Sequence, residues 1–180
     1  MGQGSQTALA MIFADELGAD LSKVSVKPPL NNARYNNPII GIQVTGGSTA
    51  VRGWWQPLSE VAATLREMLR LAAAQQWKTS PELWKVGSHQ IEAPSLQKSL
   101  AFETLIPALQ TIEPVKNVTL KKASEYRYIG KPMPRTDTAA KVDGSAVFGM
   151  DVELPGMLVA TIAQSPVFGG AVVATGYWAA

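Results

Sequence analysis

The chain has 180 residues, 46% apolar and 17% charged, a composition that can bury a core and excludes intrinsic disorder. Lys plus Arg is 16 and Asp plus Glu is 14, a formal net charge of +2, and the longest basic run is Lys121-Lys122, which gives a nucleic-acid footprint or a polybasic membrane anchor no support. With no cysteine and one histidine, the residues exclude a disulfide framework, a Cys/His zinc site, a thiolate-held iron–sulfur cluster and a Cys nucleophile.

In chain order, Met1 runs directly into Gly2-Gln3-Gly4. This reads as a start inside a domain, with no signal-peptide pattern. Leu9, Ile12, Phe13 and Leu17 are spaced for a helix, with Ser5 as its N-cap and Gly18 as its stop. Asp20 caps a short turn. Lys23 to Lys27 alternates like a half-buried strand, which Pro28-Pro29 ends. Residues 30–38 are loop by composition. Ile39 to Val44 is apolar and β-branched, broken by Gly41. The turn Thr45-Gly46-Gly47-Ser48-Thr49 follows.

A long helix is expected from Pro57, a residue suited to a first turn. Its apolar stripe is Leu58, Val61, Ala62, Leu65, Met68, Leu69, Ala72, Ala73 and Trp77, with Glu60, Arg66, Glu67 and Arg70 mostly off it. Trp84 to Ile91 reads as a hairpin around Gly87-Ser88. A second amphipathic helix lies within Ser99 to Ile112, interrupted by Pro107. Pro114, Pro132, Pro134 and the Lys-containing stretch 116–122 then suggest a surface crossing. From Gly130 to Gly170 the sequence is strand-and-turn, with Pro155-Gly156 as a strong turn signal. No apolar stretch reaches the roughly 18–20 residues that span a bilayer. The expected class is mixed α/β (α+β), with an α/β portion to about residue 113 and a β-rich portion from about 128.

Two constellations carry chemistry. Gly2-Gln3-Gly4 ahead of a helix allows close backbone approach, and the helix start offers free N–H groups to an anion. A plain loop-to-helix junction also favours glycine. Thr45-Gly46-Gly47-Ser48-Thr49 ahead of the long helix describes a second anion cradle, or a tight turn. It is neither a P-loop nor a Rossmann fingerprint. Arg52, three residues on, is placed to neutralise a phosphate or simply to pair with an acid at the surface. Trp54-Trp55 covers the start of the long helix or walls a ligand pocket. His89, in a polar turn, is expected to face solvent. The carboxylates Asp15, Glu16, Asp137, Asp143 and Asp151 form no convincing acid–base pair, so no catalytic residue and no metal ligand is assigned.

Taken together, these segments resemble a known family. Gly2-Gln3-Gly4-x-x-Thr7, continuing through Ala14-Asp15-Glu16-Leu17-Gly18 and Val24-Ser25-Val26, resembles a molybdopterin-binding segment of the xanthine oxidase family large subunit. Thr45 through Gly53 is similar to that family's second cofactor loop. Tyr128-Ile129-Gly130-Lys131-Pro132, Arg135-x-Asp137, Lys141-Val142-Asp143-Gly144 and Leu154-Pro155-Gly156-Met157-Leu158 resemble its α/β hammerhead domain. The order resembles the isoquinoline oxidoreductase β-subunit and aldehyde dehydrogenase branch, over about residues 1–170.

The resemblance implies a partial molybdopterin cofactor-binding domain at 1–113, a linker at 114–127 and the start of a hammerhead domain at 128–180. It implies cofactor contacts from Gly2, Gln3, Gly4, Thr7, Gly46, Gly47, Ser48 and Thr49. The cofactor would be molybdopterin, in its cytosine dinucleotide form, with molybdenum held by the pterin dithiolene. The implied partner is a small iron–sulfur subunit. The implied reaction inserts water-derived oxygen into an aldehyde or aromatic N-heterocycle. A periplasmic location is compatible with the full-length family member. The family's active-site glutamate, in a C-terminal Gly-Glu segment, has no counterpart here, and the tail from Val172 to Trp178 departs from the family pattern. The chain therefore reads as a fragment of a molybdenum hydroxylase large subunit, or as a truncated remnant or binding module without turnover.

Overall fold

A computed structural model describes residues 2–27 and 29–171; Met1, Pro28 and the departing tail 172–180 lie outside them. Among the described residues, four α-helices and one three-stranded antiparallel sheet make a mixed α+β architecture, as the periodicities predict. The described residues divide into two compact units, one ending at Gly144 and the other beginning at Ser145.

Helix α1 spans Ser5–Leu17. Gly4, at φ +63°, takes the N-cap expected of Ser5. Ser5 is the first helical residue, and its hydroxyl donates to the Gly2 carbonyl at 3.0 Å. The helix stops at Gly18, in the left-handed region at φ +84°. Gly18 N–H bonds the Asp15 carbonyl and Ala19 N–H the Ala14 carbonyl, the paired closure that lets a glycine end a helix.

Helix α2 spans Ala50–Trp77, beginning seven residues before the expected start at Pro57. Ala50, Val51 and Arg52 tolerate helix, and Thr49 ends the turn before them. Pro57 sits inside the helix and removes one donor there without ending it. Its buried face is dominated by Ala62, Ala63, Leu69, Ala72 and Ala73. Small side chains let α2 lie close along α1 and bury Ala14 and Leu17. Val61 is 60% exposed and Trp77 39%, so both leave the expected stripe. Arg66, expected outside it, is largely covered.

The hairpin forms, with its turn at Ser88-His89 and not at Gly87-Ser88, because Gly87 pairs with Gln90. Strands β1 (Lys85–Gly87) and β2 (Gln90–Ala93) pair with Val86 opposite Ile91. Ser88 and His89, at φ +51° and +65°, supply the two left-handed residues of a two-residue hairpin turn. Strand β3 (Lys98–Ala101) adds to β2 and leads into α3 (Phe102–Leu109), which contains Pro107. The sheet and α3 cover the far side of α2 with Trp84, Ile91, Phe102 and Leu105.

Two apolar segments differ from expectation. Residues 24–27 are irregular, after a single helical turn at Leu21–Lys23. Residues 39–44 form turns, with Ile39, Ile40 and Ile42 exposed. Neither has a neighbouring strand to take its backbone hydrogen bonds, and alternation alone cannot hold a strand. The same reason applies from Gly130 onward: among the described residues this stretch has no strand, but a short helix α4 at Thr138–Val142 and a helical turn at Gly149–Asp151. In the second unit the Pro155-Gly156 turn is present, closed by Met157 N–H to the Leu154 carbonyl at 3.0 Å.

Candidate functional site

Residues adjacent to both glycine-rich turns line one cavity of about 700 Å³, while Gly2, Gln3, Gly4, Thr7, Gly46, Gly47, Ser48 and Thr49 are not among its lining residues. Ser5 and Gln6, directly after Gly2-Gln3-Gly4, line it from one side. Thr45 and Ala50, which bracket Gly46 to Thr49, line it from the other. Both helices thus open onto the same space, Ser5 and Gln6 being the first residues of α1 and Ala50 the first of α2. Neither first turn carries an acidic residue, so no carboxylate of the turn itself offsets the positive end of either helix dipole. Among the described residues, Lys27 is the one charged side chain in the lining, beside Tyr35 and Gln43. The rest of the wall is apolar: Leu9, Val26, Val44, Trp54 and Leu58.

The eight residues expected at a cofactor site are arranged as follows. Gly2, Gln3 and Gly4 have φ of +100°, +55° and +63°. No heavy atom lies within 4 Å of where a Cβ would stand on Gly2 or Gly4, which leaves their backbone open to close approach. Gly47 and Ser48 are also left-handed, at φ +57° and +52°, and exposed. The Gly46 carbonyl accepts both the Thr49 N–H and the Thr49 hydroxyl, the latter at 2.7 Å. Thr49 is buried and its hydroxyl also accepts from Asn37 Nδ2 at 2.8 Å. Thr7 is buried too, and its hydroxyl pairs with Thr136, accepting the Thr136 N–H at 3.0 Å. Thr7 and Thr49 therefore brace the two turns, while the cavity wall is made by their neighbours. Gln6, Lys27, Tyr35 and Gln43 escaped the sequence reading; only the position of Gln6 beside the first glycine turn gave a signal. Trp54 walls the cavity, and Trp55 meets the Tyr126 ring edge-on at 6.4 Å.

The buried carboxylates have structural partners. Asp15 accepts N–H groups from Arg127, Tyr128 and Ile129 at 2.7–3.1 Å. Glu16 accepts the Lys121 N–H and pairs with Arg66, which also reaches the Thr119 carbonyl at 2.6 Å. Burial, followed by the nearby Arg66 charge, pushes the Lys121 ammonium below the ordinary lysine range. Burial, followed by Glu16 and Asp15, pushes the Tyr126 phenol up. Hydrogen bonds from Arg135 and then Lys141 hold Asp137 well below the carboxylate range.

His89 does not face solvent freely. Its Nδ1 accepts the Asp20 N–H at 3.4 Å, its Nε2 lies 3.3 Å from Glu103, and its ring lies 4.7 Å from that of Phe102. A second cavity, about 690 Å³, lies between α2, β1 and residues 115–122. Its guanidiniums are committed: Arg66 to Glu16 and Thr119, and Arg70 to Glu67 and the carbonyls of Pro81 and Trp84. Among the described residues no group of three or more His, Cys, Asp or Glu is placed to hold a metal ion, and no helix is long and apolar enough to cross a membrane.

Residues 1–154 match the family described as "Molybdopterin cofactor-binding domain". The chain is 29% identical to the beta subunit of isoquinoline 1-oxidoreductase of Brevundimonas diminuta, over 94% of this chain and 26% of that protein. It is 34% identical to a membrane-bound aldehyde dehydrogenase (pyrroloquinoline-quinone) of Gluconacetobacter polyoxogenes, over 88% of this chain and 20% of that protein. It is 28% identical to a nicotinate dehydrogenase subunit of Pseudomonas putida, over 94% of this chain and 14% of that protein. The chain thus spans about a quarter or less of these relatives.

Proposed function

Because the chain belongs to the molybdopterin cofactor-binding domain family of xanthine-oxidase-type large subunits, we propose that it supplies one wall of a molybdopterin site in a larger molybdenum hydroxylase. The observation that carries this reading is the cavity onto which the starts of α1 and α2, each just after a glycine-rich turn, both open. Its volume suits a small-molecule site, which spans roughly 300–1,000 Å³. Its chemistry has two halves that match the two halves of the cofactor. The openings of α1 and α2, with Lys27, suit phosphate oxygens. Trp54, Leu9 and Val26 suit the face of a flat heterocycle.

In this reading, Gly2, Gln3 and Gly4 give backbone N–H groups and a carboxamide to the cofactor. Gly46, Gly47, Ser48 and Thr49 enclose it from the other side, with Thr49 and Thr7 as braces behind the turns. The cytosine dinucleotide form would place its diphosphate at the helix openings. Bound, the group supplies the molybdenum centre for oxygen transfer from water to an aldehyde or aromatic N-heterocycle. Electrons would leave through the iron–sulfur clusters of a small partner subunit. Residues 1–113 would belong to the cofactor domain, with 114–127 linking to a hammerhead segment from 128.

Titration of the chain with molybdopterin released from a purified molybdenum enzyme tests this reading. Saturable quenching of tryptophan fluorescence, abolished in Trp54→Leu, is the expected result. No saturable response from the wild-type chain would reject it.

A second reading, a binding module without turnover of its own, is favoured by a specific observation. Asp15, Glu16 and Asp137 all have their carboxylates engaged by backbone or cationic partners. Substrate-dependent dye reduction by the cofactor-loaded chain alone would reject this second reading.

A further inference from the structure

Asp15 and Glu16 lie in the last turn of α1 and are each 1% exposed. That is an adverse place for two carboxylates. The C-terminal end of a helix carries the negative end of its dipole, and burial penalises charge. Arg66 of α2 pairs with Glu16; the remaining compensation comes from one stretch of chain more than a hundred residues away. Lys121 N–H meets Glu16. The successive N–H groups of Arg127, Tyr128 and Ile129 converge on Asp15. The Tyr128 hydroxyl accepts the Leu21 N–H at 3.1 Å, just past the helix stop. The same stretch then reaches the other end of α1, where Thr136 meets Thr7. Along the chain, residues 121, 127–129 and 136 meet residues 16, 15 and 7, so the segment runs antiparallel to the helix. From Thr7 to Asp15 the helix rises about 12 Å, at 1.5 Å per residue.

We propose that Asp15, Glu16 and Thr7 form one latch: they fasten residues 119–136 along α1 as a strap, and through the strap they hold the Gly2–Ser5 turn in place at the cavity. Thr7 is then a positioning residue. Its hydroxyl is committed to Thr136, at the end of α1 that opens on the cavity, and Asp15 secures the same strap at the opposite end. The proposal rests on the cofactor reading only for what the turn is held ready to bind.

Amide hydrogen exchange on the whole chain, without any ligand, tests the coupling. The reporters are Ser5 and Ala8, whose N–H groups bond the Gly2 and Gly4 carbonyls, together with Thr136. In Asp15→Asn, exchange at residues 127–129 should accelerate by about tenfold, as expected on weakening buried charge-assisted hydrogen bonds. Exchange at Thr136, Ser5 and Ala8 should rise with it by at least about threefold, the mark of one cooperative unit. Thr7→Val should accelerate Thr136, Ser5 and Ala8, whereas Thr7→Ser, which keeps the hydroxyl, should restore wild-type rates. The double variant Asp15→Asn/Thr7→Val should be no faster at Ser5 and Ala8 than the faster single variant. Acceleration confined to residues 127–129 in Asp15→Asn, or additive effects in the double variant, would overturn the latch. If Asp15→Asn fails to fold, the Thr7→Val and Thr7→Ser pair decides alone: equal rates in the two at Ser5, Ala8 and Thr136 would reject the proposal. Because no ligand is added, failure of the latch leaves the cofactor reading to its own titration.

Discussion

Gly18 shows how one residue joins two layers of the fold. Its φ of +84° is unfavourable for other residues, and a Cβ there would stand 3.1 Å from the Val86 carbonyl oxygen and 3.2 Å from Gly87 Cα. Gly18→Ala should therefore cost about 1–3 kcal/mol, from backbone strain and from the collision with β1; the shift in urea midpoint measures it. Glu16→Leu should cost more, about 3–5 kcal/mol, because it removes the buried anion of the largely covered Arg66 guanidinium and leaves it only the longer contact to Glu67, at 3.4 Å. A partial recovery in Glu16→Leu/Arg66→Met would identify the lost pairing as the cause. Depressed carboxylates set the acid side of the pH profile, Asp137 among them through Arg135 and then Lys141. Asp20 is held below the usual carboxylate range first by the Ser22 N–H, and Glu103 first by a backbone hydrogen bond. Groups depressed in the folded state add stability above their unfolded pKa and lose it as pH falls through the folded value. The melting temperature should therefore fall as pH drops below about 4, and Asp20→Asn should flatten that fall. At this scale the glycine turns are legible in the sequence, but the role of Thr7 is not. Its hydroxyl partner is 129 residues away, and no local pattern carries that information. Separations of 105–114 residues likewise hide the backbone N–H partners of Glu16 and Asp15.

Elements are legible where the chain satisfies its own backbone. Helix α1, with its glycine stop, and the hairpin β1–β2 are readable because their hydrogen bonds are local. Residues 23–27 and 39–44 are not, because a strand exists only against a neighbour. The start of α2 is hidden because proline usually marks a first turn, whereas Pro57 sits inside this helix. Pro57→Ala should restore a donor to the Gly53 carbonyl and raise the thermal midpoint, by up to about 3 kcal/mol of helix stability. Trp54 lies one turn before Pro57, so the same change should alter molybdopterin quenching of fluorescence. A lowered midpoint would show that Pro57 is required by the packing of α2.

For the molecule as a whole, the apolar surface is the prominent property. Leu30 is 89% exposed and Ile42 58%, and in the second unit Leu158, Val159 and Ile162 are each exposed by 83% or more. Surfaces of this kind favour association, and burying each large side chain contributes about 1.5–3 kcal/mol. Sedimentation should show concentration-dependent self-association of the isolated chain; a monodisperse monomer across the accessible range would contradict it. The pairing of the two turns around one cavity is the structural claim on which the functional reading depends, and the pterin content of the chain tests it most directly. Wild type, Gly4→Val and Gly47→Val would be isolated from cells that make the cofactor, and released pterin quantified per mole of protein after oxidation to its fluorescent form. Both glycines have positive φ, so a β-branched residue should distort either turn. Pterin that accompanies the wild-type chain and is lost in each single variant is the predicted result. A wild-type chain free of pterin, or pterin retained when either turn is changed, would contradict the shared site.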